Sequence, residues 1–189
     1  MKPLVRMLLA GIVALFANSA FAADYTAADF AALLKELPKS KVSLADGVKQ
    51  VSKAPETAIS GKFELEDGKL SLSIYTVEKG LAVDAENNVL KEFAGSPEQA
   101  PWNPEAATFK DVEHVSRASM QLTLSSLSKS SLMDIVQRAG KDQKGTVFSV
   151  NPKSSDGKHF FEVLVAAQGK VVVLRYEVLT GKLIDKAAL

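Results

Sequence analysis

His114 and His159 are the only imidazoles in the chain, and it has no cysteine. Nucleophilic or transition-metal chemistry would therefore have to run through these two residues. A serine triad needs one of them held between a serine and a distant acid. His114 follows Thr108 to Glu113 in a segment with helical spacing, where a solvated imidazole is the simpler reading. His159 stands just after Asp156-Gly157 at the start of a strand. An edge or satisfied histidine is the simpler reading there than a metal ligand shared with Asp156. Glu64 and Glu66 alternate with Phe63 and Leu65, which is the wet face of a strand. The chain contains no His-Glu-x-x-His, no Gly-x-Ser-x-Gly, no Walker loop and no dinucleotide glycine pattern. Met120 and Met133, the two methionines beyond the leader, are too few for a copper-binding tract. The expectation is a chain that is not an enzyme, with no catalytic residue, no cofactor and no metal.

What remains is contact chemistry. Tyr75, Trp102, Phe160 and Leu164 are the candidate partner-binding residues, because Trp and Tyr dominate interface hot spots. Trp102 lies in a proline-rich connection, where it either plugs a gap between units or anchors a partner. Phe160 and Leu164 either close an interface between units or form an exposed patch.

These residues need elements to hold them. Lys2 and Arg6, the apolar run Met7 to Ala17, and Ala20-Phe21-Ala22 make a leader of signal-peptide form, so residues 1–22 are expected to be removed on export. The apolar run is shorter than the about 20 residues that span a bilayer. Losing Lys2 and Arg6 takes the net charge from +1 to −1, a balance that argues against nucleic acid. The expected location is periplasmic or secreted, with no stable membrane insertion after leader removal. Without cysteine no disulfide can form, so stability must come from the core.

Thr26 and Asp29 have capping-box spacing before the stripe Phe30, Leu33, Leu34, Leu37. Ser43 and Asp46 repeat it before Leu44, Val48 and Val51. The period then changes to two. Phe63 and Leu65 lead into Asp67-Gly68, a hairpin turn. Leu70, Leu72 and Ile74 alternate with Ser71, Ser73 and Tyr75. Leu81, Val83 and Ala85 continue that alternation, and Val89 to Phe93 ends it. Gly95 to Glu105 carries three prolines and reads as a linker. Phe109, Val112 and Val115 suggest a helix from Ala106. Ser131 and Asp134 open another helix, with Leu132, Ile135, Val136 and Ala139 on its core face and Gly140 at its end. His159, Phe161, Val163 and Val165 then occupy the positions of Leu70, Leu72 and Ile74 in a second hairpin. Phe160, Glu162 and Leu164 face the other way. Strands apolar on both faces are covered on both faces, so this half needs a second buried surface.

The chain thus repeats itself. Ser43-Leu44-Ala45-Asp46 matches Ser131-Leu132-Met133-Asp134, Asp67-Gly68-Lys69 matches Asp156-Gly157-Lys158, and Gly80 matches Gly169. The repeated helix, the Asp-Gly-Lys turn and the ending Tyr176 to Leu183 resemble the PepSY domain family, over residues 41–93 and 130–186. Asn88 stands where that family has glycine. The resemblance implies an α+β fold of two tandem units, each with one or two helices packed on an antiparallel three- or four-stranded sheet. The expected organisation is a signal peptide (1–22), a first unit (23–95), a linker (96–105) and a second unit (106–189). Such a tandem is similar in architecture to the secreted β-lactamase-inhibitor proteins. The family resemblance also implies a role in binding or inhibiting proteases outside the cytoplasm, making an envelope or extracellular protease, or another protein, the expected partner. Two rivals stay open: a cryptic hydrolase using His114 or His159, and a periplasmic carrier of a small apolar ligand.

Overall fold

In the computed structural model, which describes residues 26–189, three helices begin with the same device. The leader expected over residues 1–22 lies outside the described residues. α1 (Ala27–Glu36), α2 (Leu44–Val51) and α4 (Leu132–Asp142) each start with a complete capping box. The serine or threonine side chain accepts from the backbone of the third helical residue, whose Asp reaches back. Pro38 falls in a 3-10 turn, Leu37–Lys39, that closes α1. α3 (Val112–Leu127) is capped by Asp111 alone. Gly140 does not end α4, as its place in the sequence suggested. It lies in the last turn, and Gln143 is the cap.

Among the described residues, eight strands form a single antiparallel sheet: β1 (Thr57–Glu66), β2 (Lys69–Val77), β3 (Leu90–Gly95), β4 (Glu105–Thr108), β5 (Thr146–Ser155), β6 (Lys158–Ala167), β7 (Lys170–Glu177) and β8 (Leu183–Ala188). Their order is β4-β3-β2-β1-β5-β6-β7-β8, so β4 and β8 are the edges. The sequence left open whether sheets of three or four strands would be continuous, and among the described residues all eight strands belong to one sheet. The two halves join where Gly61 pairs with Val150 and Lys62 with Ser149. Asp67 and Gly68, like Asp156 and Gly157, have positive φ and turn the two hairpins.

Two segments depart from the sequence expectation. Glu105–Thr108 is an edge strand on β3, not the start of a helix, and helical structure begins only after the Asp111 cap. Glu105, the last residue of the expected linker, is thus the first residue of β4. Residues 81–85 are turns rather than a strand. Asn88 explains this. Its amide donates to the carbonyls of Gly80 (2.9 Å) and Val83 (3.0 Å), and its carbonyl oxygen accepts from the Lys79 N–H (2.9 Å). One side chain thus ties down the loop that a ladder would otherwise have extended.

Helices α2 and α4 touch each other and share one face of the sheet, over Phe63, Leu72, Ile74, Val150, Phe161 and Val163. Gly47 of α2 sits so close that a Cβ there would lie 2.8 Å from Leu72 Cδ2. α1 adds Leu33 to this core and the 3-10 turn after it adds Leu37, while Phe30 of α1 meets Phe148 edge-on with centroids 6.4 Å apart. α3 lies on the opposite face, where Ala118 and Leu122 cover Ile59, Tyr75, Val77 and Leu90.

Candidate functional site

Side-chain alternation decides what lies beside α3. Because Leu70, Leu72 and Ile74 point to α2, Ser73 and Tyr75 of β2 must point the other way. β1 adds Ser60 and Lys62, β5 adds Ser149, Asn151 and Lys153, and β6 adds Phe160, Glu162 and Leu164. α3 lays Arg117, Met120 and Gln121 along this floor. Together they enclose a cleft of about 360 Å³ over the junction of β1 and β5, within the size range of ligand sites.

The floor is held by a chain of hydrogen bonds between elements. The Ser60 hydroxyl donates to Gln121 Oε1 at 2.9 Å, and Gln121 Nε2 donates to Asn151 Oδ1 at 3.4 Å. Asn151 Nδ2 then donates to the Ser149 hydroxyl at 2.8 Å. Ser60, Gln121 and Ser149 are all buried. Each would cost free energy without a partner, so satisfying them fixes where α3 rests on the sheet.

A charged cluster forms the other wall. Glu162 is 3% exposed. Lys153 Nζ lies 2.9 Å from its Oε1, and Arg175 Nε lies 3.9 Å from its Oε2. Arg175 also binds Asp185 at 2.6 Å and stands over the Phe160 ring, 5.5 Å from its centroid. A buried carboxylate is tolerated only with such partners. At the cleft mouth Lys62 pairs with Glu64 (2.5 Å) and Arg117 with Glu113 (2.8 Å).

Burial, then the nearby Glu92 and Glu64 carboxylates, push the Tyr75 phenol up, so it is a neutral hydrogen-bonding group. Glu92, which pairs with Tyr75 across β2 and β3, is itself raised by burial, against the Ser73 hydroxyl that holds it down.

Three of the four residues singled out from sequence come together here: Tyr75, Phe160 and Leu164 line the same cleft, but all three are buried, so Phe160 and Leu164 do not form an exposed patch. Trp102 does not. It is 3% exposed and belongs to the core beneath α2. Its indole N–H donates to the Gly95 carbonyl at 3.2 Å, and Gln50 Nε2 donates to its own carbonyl at 2.8 Å. Gly47 and Gly95, lacking side chains, leave the slot its ring fills. Trp102 is therefore buried in the core against Gly47, Gly95 and Gln50 and presents almost no surface. His114 is bonded through Nδ1 to Asp111 Oδ1 at 2.8 Å and stacks on Phe109. His159 is exposed on the strand face opposite Phe160. Neither lines the cleft. Among the described residues, no group of three or more His, Asp or Glu side chains is placed to hold a metal. No helix among them is long and apolar enough to cross a membrane.

The sequence reading missed Gln121, Asn151, Lys153 and Arg117. One signal was present: Glu162 interrupts an otherwise apolar strand, and a lone charge there needs a cation nearby.

No family model matches this chain, and no curated protein matches it. Among solved structures it is similar to the crystal structure of a "putative lipoprotein" from Clostridium difficile 630, at 13% identity and a TM-score of 0.38. That likeness covers 79% of this chain and 95% of the other. At that TM-score it carries no argument about fold or function.

Proposed function

We propose that this protein is an exported, non-enzymatic binding module of PepSY type that acts on a protein partner, such as an envelope protease, by covering part of its surface. The observation that carries the reading is the cleft at the junction of β1 and β5. It offers hydroxyls, amides, an aromatic edge and cations on a rigid sheet, and its serines have no histidine beside them. Such a surface suits recognition better than acyl transfer, which needs a base within hydrogen-bond reach of the nucleophile. A carrier of apolar ligands gains less support, because Ser60, Ser73, Ser149 and Asn151 make the floor polar.

The two-unit reading belongs with this proposal. The sheet bulges between Ala58 and Ser60 in β1 and between Val147 and Ser149 in β5. Counted back from each Asp-Gly turn, these bulges coincide. The same count matches Ser71 with Phe160, Ser73 with Glu162 and Tyr75 with Leu164. The units would then meet along β1 and β5, with Gly61 and Val150 at the centre. Unit two would then place Phe160 and Glu162 where unit one has Ser71 and Ser73. The leader over residues 1–22 supports export.

The test places a photo-crosslinking amino acid at Met120, which is exposed on the cleft wall, and separately at Lys35 on α1 as a control. Expressed in its own cell, the protein should give one discrete adduct from position 120 and none from 35. The purified partner should then be occluded by the unmodified protein in a binding or protease assay. Adducts of equal yield from both positions, or none from 120, would overturn the reading.

A further inference from the structure

We infer that the cleft takes an acidic segment of the partner protein, a short run of Glu or Asp whose carboxylates meet Arg117, Lys62 and Lys153. The inference rests on the binding-module reading and adds its ligand chemistry.

Charge carries it. Four charged residues line the cleft, and three of them, Lys62, Arg117 and Lys153, are cations. The fourth, Glu162, is buried against Lys153 and Arg175 and so has little to offer an incoming cation. The carboxylates that pair with Lys62 and Arg117 lie outside the lining, and both pairs are partly exposed. The Arg117–Glu113 pair is the more exposed of the two, and surface pairs of that kind contribute little to stability. A new carboxylate therefore replaces Glu113 at small cost, while Lys62 adds its charge from beside Glu64. The planar guanidinium of Arg117 suits bidentate binding of a carboxylate. Met120, exposed on the same helix three residues on, offers apolar contact for side-chain methylenes, which a longer peptide supplies more fully than a small free acid.

The probe is a fluorescein-labelled peptide, Gly-Glu-Glu-Glu-Glu-Gly, compared with its Gln counterpart by fluorescence anisotropy on the purified protein. The Glu peptide should bind at least about tenfold more tightly, and rising salt should erase most of the difference. Arg117→Gln with Lys62→Gln should weaken it about tenfold. Glu113→Gln releases Arg117 from its pair and should tighten it, so a gain guards against reading a folding defect as a lost contact. Equal affinity for both peptides, no response to either variant, or no binding would overturn the inference. So would glutarate competing as well as the peptide, since the ligand would then be a small free acid. A Met120 adduct whose partner shows no acidic segment ends this inference and leaves the binding-module reading standing, whereas loss of the adduct ends both.

Discussion

The Ser60 hydroxyl, on the first strand, donates to Gln121 Oε1, on the third helix, at 2.9 Å with both side chains buried. It is a single contact between distant parts of the chain, and it decides where a helix sits. Replacing Gln121 by Ala leaves the Ser60 hydroxyl and Asn151 Oδ1 without that partner. The expected loss is about 1–3 kcal/mol, the range for stranding a buried polar group. Urea unfolding measures it, and a change below a few tenths would mean that α3 is held by Ala118 and Leu122 alone.

Two glycines in helices should respond in opposite directions. Ala at either position gains about 1 kcal/mol in helix propensity. At Gly47 the new Cβ would meet Leu72 Cδ2 at 2.8 Å in a closed core, whereas at Gly140 nothing lies within 4 Å. Overpacking costs about 1–3 kcal/mol. Gly47→Ala should therefore lower the unfolding free energy and Gly140→Ala should raise it, by about 0.5–1 kcal/mol. A matched pair of thermal melts distinguishes them.

Acid should unfold the protein partly through its helix caps. The Ser43 hydroxyl, then the Ser43 backbone, hold Asp46 below its usual range, and Ser131 does the same for Asp134. Each depressed value means stabilisation that is fully present above the unfolded value, about 3.9, and is lost as pH falls through the folded one. Asp46→Asn with Asp134→Asn should cost about 0.5 kcal/mol per site at pH 7, the low end for caps, because both carboxylates are exposed to solvent. The gap to the native chain should close below about pH 4. Glu92 works the other way. Burial raises it, so ionisation costs stability above its folded value and nothing below the unfolded one. Glu92→Gln should raise the melting temperature by about 1–3 °C at pH 8, with the gain vanishing below about pH 4.

Trp102 should affect folding rather than recognition. Trp102→Ala empties the slot between Gly47 and Gly95, and such truncations cost about 3–5 kcal/mol. At a temperature where the variant is still folded, its affinity for the acidic peptide should match that of the native chain. A selective loss of binding with an unchanged melt would return Trp102 to the contact surface.

Local chemistry made much of this fold legible. The Thr26–Asp29, Ser43–Asp46 and Ser131–Asp134 caps were visible as spacing, as were both Asp-Gly turns, because each is satisfied within a few residues of chain. The alternation that set Phe160, Glu162 and Leu164 opposite Phe161 and Val163 also held. Where alternation misled, a side chain had intervened: residues 81–85 read as a strand until Asn88 is seen gathering their carbonyls. Ala106 read as helical because Phe109, Val112 and Val115 share a stripe, yet the cap that starts the helix is Asp111. The junction at Gly61 and Val150 leaves no mark on either strand, since pairing across it uses only backbone. The cleft was legible in its apolar members and hidden in its polar ones. Lys62 and Gln121 carry no mark in the sequence, because a polar side chain on a strand or helix reads the same whether it meets water or a cleft.

An open sheet has two unfinished margins. β4 is a four-residue margin with every residue exposed, whereas β8 runs for six and presents Leu183 and Ile184 to solvent. A margin of that length is a template on which another chain can add, and on β8 Asp185 and Lys186 are the charges that interrupt it. How long a concentrated solution stays clear would then be set by those two charges, and not by how tightly the interior is packed.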